Sequence, residues 1–94
     1  MNFDIVRTPR GRFVKAEEAA AALNLAAEVL GRADKVRARL ELLSQIEKLC
    51  ADGRPVPAQE VAELLCAAVR QLGRAGNWTD TEKLAYLARQ LERE

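Results

Sequence analysis

Two cysteines, Cys50 and Cys66, and the absence of histidine limit the chemistry open to this chain. The common zinc sites need four Cys or His ligands at close spacing, so the sequence is expected to bind no metal, and no cofactor motif is present. In an antiparallel helical hairpin turning near Arg54, the helical rise places Cys50 about 6 Å and Cys66 about 18 Å from the turn. The axial offset of about 12 Å exceeds the roughly 7 Å Cα limit of a disulfide, so both thiols are read as reduced and packed as small hydrophobes. Without histidine, a general base would have to be a carboxylate, a lysine or a tyrosine. The acidic pairs Glu17-Glu18 and Glu60-Glu63 fit solvated helical faces. Gly73-Arg74-Ala75-Gly76 has neither the Lys-Ser/Thr sequel nor the preceding strand of a phosphate loop. No catalytic residue is assigned, and the chain reads as a non-enzyme.

The elements that would position any other site are helical. The chain has 94 residues, enough for a single domain. Ala and Leu together supply 30 residues against 9 for Val and Ile, and straight-chain residues lose little rotamer freedom in a helix. Uninterrupted apolar runs are only a few residues long, so no membrane-spanning helix is expected. The opening Met-Asn-Phe-Asp-Ile-Val-Arg lacks the cationic leader of a signal peptide, and a cytoplasmic protein is expected.

Residues 1–15 are the only part without a helical pattern. Phe3–Arg7 and Arg12–Lys15 are β-prone and flank the turn-like Thr8-Pro9-Arg10-Gly11, which predicts a short hairpin packed through Phe3, Ile5 and Phe13, or else a mobile arm. From Ala16, apolar residues recur at steps of three or four: Ala19, Leu23, Ala26, Leu30, Ala33, Val36, Leu40, Leu43, Ile46 and Cys50. The unbroken phase favours one helix over 16–51, about 54 Å long. The alternative is a helix pair broken with Gly31 as a left-handed cap and Asp34 as the next N-cap. Asp52-Gly53-Arg54-Pro55-Val56-Pro57 ends this region. A helix over 57–72 begins on Pro57 and buries Val61, Leu64, Leu65, Ala68, Val69 and Leu72. Thr79-Asp80-Thr81-Glu82 reads as a capping box opening a helix over 79–93, with Leu84, Leu87, Ala88 and Leu91 inward. The expected fold is all-α: a bundle of three long or four shorter helices with a short extended N-terminal segment.

Fifteen basic against fourteen acidic side chains leave a net charge of +1, which speaks against a general nucleic-acid binder. The excess is local: Arg7, Arg10, Arg12 and Lys15 face a single acid, Asp4, in residues 1–15. Arg32, Lys35, Arg37 and Arg39 form a second basic run. These cations would serve a nucleic-acid-binding regulator or a protein partner, and phosphate affinity requires several of them to converge. Trp78 precedes a helix start, where an aromatic either seals the core or meets a partner; sealing the core is the expected role. Leu25, Val29, Leu42 and Leu49 lie off the principal stripe and suggest apolar surface left for a partner. A projecting long helix would bury Leu23, Ala26 and Leu30 against a second copy, so a homodimer is expected.

Gly11-Arg12-Phe13-Val14-Lys15-Ala16-Glu17-Glu18, running straight into an Ala-rich helix, resembles the opening of short accessory proteins encoded by bacteriophages. The likeness spans eight residues. It implies a small non-catalytic protein that binds a host factor, for instance an inhibitor of bacterial defence of the anti-CRISPR kind. Such proteins share no common motif, so no functional residue carries over, and a bacterial regulator or a secretion chaperone has the same features. The expected function is protein–protein binding, with Arg7, Arg10, Arg12, Lys15 and Trp78 as partner-facing residues.

Overall fold

The computed structural model describes residues 3–92. Strand β1 (Val6–Thr8) pairs antiparallel with β2 (Gly11–Val14) across a two-residue turn at Pro9-Arg10. The Thr8 hydroxyl accepts the Arg10 N–H and donates to the Gly11 carbonyl, both at 3.1 Å, which holds the turn closed. A third strand, β3 (Val56–Pro57), pairs antiparallel with β2 in the order β1-β2-β3. The expected hairpin is therefore packed, not a mobile arm. Val14 and Val56 face each other across the ladder and are both buried, so the sheet enters the core. Asp4 N–H donates to Glu18 Oε1 at 3.0 Å, and Phe3 and Ile5 pack against the core.

Four helices follow: α1 (Ala16–Arg32), α2 (Val36–Cys50), α3 (Ala58–Leu72) and α4 (Trp78–Glu92), with a 3₁₀ turn at Gly73–Ala75 before α4. Helices hold 72% of the described residues and the three strands are the remaining regular structure, so the all-α expectation is corrected to a helical bundle with a small antiparallel sheet. Pro57, expected as the first helical residue, closes β3 instead, and α3 begins one residue later.

The single long helix is also corrected. The molecule measures 39 × 26 × 17 Å, too short for a 54 Å rod. The chain reverses at Ala33-Asp34-Lys35. Lys35 N–H donates to Leu30 O at 2.9 Å and Asp34 N–H to Gly31 O at 3.1 Å, the paired bonds of a Schellman cap. The residue in the left-handed region is Asp34, with φ 61°, and Gly31 stays inside α1. Aspartate tolerates this region better than most residues but still carries a steric penalty there. Gly31 has a different role: a Cβ on it would lie 3.1 Å from Arg39 Cδ, so it is where α2 passes close to α1.

The reversal lays α2 back along α1, and α3 and α4 pair in the same way. Leu23, Leu30, Leu65, Leu72, Leu84 and Leu91 fill the interior, and no polar or charged side chain is buried among the described residues. Leu23, Ala26 and Leu30, expected at a dimer interface, are at most 1% exposed within one chain. They are core, closed off by the chain's own helices. Val29 and Leu42, read as surplus, are buried too, and Leu25 and Leu49 are partly covered. Because α2 meets α1 and α3 with one flank only, it turns Leu42 and Ile46 inward and leaves Val36 and Leu40, expected on the buried stripe, 58% and 57% exposed.

Two backbone sites test this description. Replacing Asp34 with Gly removes the left-handed penalty and is expected to raise stability by up to about 1 kcal/mol. Gly76 sits where a Cβ would lie 2.8 Å from Thr81 Oγ1 and 3.0 Å from Leu72 Cβ. G76A is therefore expected to lose about 1–3 kcal/mol through overpacking. Urea titration of both variants checks these values; a destabilised D34G or a neutral G76A contradicts the corresponding corner.

Candidate functional site

The up-and-down arrangement gives the molecule two ends. The sheet end gathers the starts of α1 and α3 and the finishes of α2 and α4; the other end gathers the α1–α2 reversal and the α3–α4 corner. Arg7, Arg10, Arg12 and Lys15 lie at the sheet end. Arg12 is half-buried and its Nη1 donates to the Leu91 carbonyl at 2.8 Å, placing a cation at the negative end of α4. Lys15 Nζ lies 3.5 Å from Asp4 Oδ2. Arg7 and Arg10 remain on the exposed hairpin, beside an open groove of about 490 Å³ that also includes Phe13 and Gln59. The second basic run, Arg32 to Arg39, sits at the opposite end of α1, about 25 Å away by the helical rise. There Arg32 Nη2 pairs with Asp80 Oδ2 at 3.3 Å. The two basic runs do not converge on one surface.

The cysteines stand apart as half-buried free thiols. The Cys50 thiol donates to the Ala16 carbonyl at 3.6 Å, and the Cys66 thiol to Glu92 Oε1 at 3.7 Å. Burial pushes the Cys50 thiol above its ordinary value. Cys66 is raised by burial first and then by the charge and hydrogen bond of Glu92, with Arg70 opposing. Both environments favour the protonated thiol, the reverse of what a nucleophilic cysteine needs. Among the described residues no three Cys, Asp or Glu side chains group as metal ligands.

Trp78 corrects its expected role as a core seal: it is 75% exposed. The cause is the local start of α4. Asn77 Oδ1 accepts the Thr79 N–H at 2.8 Å, and the Asn77 carbonyl accepts the Thr81 N–H at 2.9 Å. Asn77 therefore caps the helix, the expected Thr79 capping box falls inside it, and Trp78 occupies its first position. Leu84, Leu87, Ala88 and Leu91 turn inward, which directs Trp78 outward along with Glu82, Tyr86 and Arg89. Tyr86 is 52% exposed and the sequence reading missed it. Its signal was spacing: 78, 82 and 86 step by four, off the Leu84–Leu87–Leu91 line.

No protein-family model, curated protein or solved structure matches this chain. No helix among the described residues is long and apolar enough to cross a membrane.

The thiol environments have a measurable consequence. Folding holds both protons beyond the ordinary thiol value of 9.0. The associated stability is full below that pH and is lost as pH rises through the higher folded values. Alkylation by iodoacetamide at pH 7 is expected to be slower than that of free cysteine, with the rate still rising with pH beyond 9, where that of an ordinary thiol levels off. A folded protein alkylated at pH 7 as fast as free cysteine contradicts this.

Proposed function

We propose that this chain is a non-catalytic protein-binding module whose contact face is the outer side of α4. The observation that carries the reading is the exposure of two of the four aromatic side chains, Trp78 and Tyr86, on one helix face, while the core is closed by aliphatic residues. Trp and Tyr offer large, rigid contact area for little lost rotamer entropy, and both concentrate at binding hot spots. Glu82 and Arg89, of opposite sign, lie between and beyond them and suit a polar rim. The protein would act by occupying a surface of a partner in the cytoplasm, as the phage accessory likeness of residues 11–18 implies for an inhibitor of a host factor. The separation of the two basic runs weakens the nucleic-acid reading, because phosphate affinity grows with the number of cations that meet one backbone.

The test pairs two measurements on W78A/Y86A. Both side chains are exposed, so helix content is expected to be unchanged and stability to stay within about 0.5 kcal/mol of wild type. A partner captured by wild-type protein from a bacterial lysate is expected to be lost by the variant. Undiminished capture contradicts the face. Tight binding of duplex DNA that falls steeply with salt, and is lost on Arg7→Ala/Arg10→Ala, favours the hairpin as a nucleic-acid site instead.

A further inference from the structure

Helix α2 carries a second apolar line that the fold leaves uncovered. Only Leu42 and Ile46 of its 15 residues are buried. On the flank facing away from α3 lie Val36, Leu40, Leu43 and Glu47, spaced four, three and four. That is the repeat of a coiled-coil seam, with the first two side chains more than half exposed and Leu43 partly covered. Leu43 also floors an open groove of about 460 Å³ between α2 and α1, lined on the α1 side by Leu25 and Glu28. Leu25 thus carries apolar surface from Leu43 onto α1, among the polar side chains of Asn24, Glu28 and Arg39.

We propose that this face docks a second copy of the chain, with the two α2 helices antiparallel about a two-fold axis between Leu40 and Leu43. The charges select both the occupant and the direction. The first half of α2 carries Arg37 and Arg39, and the seam ends on Glu47. In the antiparallel register Leu40 meets Leu43 of the other copy, and Glu47 meets Val36 beside Arg37. A parallel register would set each arginine against its own copy. The face carries its own complement, as an isologous interface requires. A uniformly acidic partner helix would match Arg37 and Arg39 but repel Glu47.

The seam covers about 16 Å of helix, short of what a standard interface of about 1,600 Å² provides, so the dimer belongs to the weak class. It is independent of the α4 face, which lies on another helix.

Sedimentation equilibrium of the full chain provides the test. Wild-type protein is expected to shift from its monomer mass of 10.4 kDa toward twice that value as concentration rises, with a midpoint of about 10–100 µM. Leu40 is exposed in the monomer, so L40E is expected to keep wild-type helix content and remain monomeric at about 500 µM. E47R is expected to weaken association about tenfold by placing arginine beside arginine, and R37E/E47R to recover most of it. W78A/Y86A is expected to dimerise as wild type does. A wild type that stays monomeric throughout, or an L40E that dimerises normally, overturns the proposal. So does self-association lost on W78A/Y86A and kept on L40E, which assigns it to α4.

Discussion

The reversal at Ala33-Asp34-Lys35 is the constraint on which the rest of the molecule depends. A helix of 15 to 17 residues is marginal in water on its own, and α1 to α4 are all of that length. Their stability comes from mutual burial, which requires α1 to stop and α2 to return along it. The two Schellman bonds at Leu30 and Gly31 supply that stop, and Asp34 accepts an unfavourable φ to make it. Once the chain turns there, Leu23 and Leu30 have a core to enter, and α2 becomes an outer layer with an uncovered flank.

The small sheet performs the complementary task at the other end. Two strands alone would be marginal, but β3 adds a third and the Val14–Val56 pair roots the sheet in the core. Arg12 then reaches from β2 to the Leu91 carbonyl, linking the beginning of the chain to the finish of α4. The basic N-terminal segment is thereby partly structural: Arg12 clamps a helix end and Lys15 pairs with Asp4, while Arg7 and Arg10 stay on the surface. Charge that looks functional by count is divided by the fold into different tasks.

Much of the architecture was legible in the residues, and the misses share one physical origin. Helix content, the hairpin, the break after Cys50 and the inward faces of α3 and α4 follow from composition and period. The α1–α2 break was obscured because the apolar phase runs across it unchanged, and the cap uses Asp34 in place of glycine. That phase puts Val36 and Leu40 inside, whereas burial of α2 is decided by which flank meets α1 and α3. Strand β3 has two residues, too few for any periodic signal, and exists only because β2 offers an edge. Trp78 turns on the identity of the cap: Asn77 in place of Thr79 shifts the helix start and turns the indole outward.

The aromatic face of α4 points to solvent in a chain whose thiols are shifted toward the protonated form and whose basic runs lie at opposite ends. Trp78 and Tyr86 are solvated in the isolated protein, as the proposed contact face requires. Trp78 is the only tryptophan, so its fluorescence reports this without labelling. Emission at the wavelength of an indole in water and acrylamide quenching close to that of free tryptophan are expected. A blue-shifted band protected from quencher would place Trp78 in the core and remove the α4 contact face.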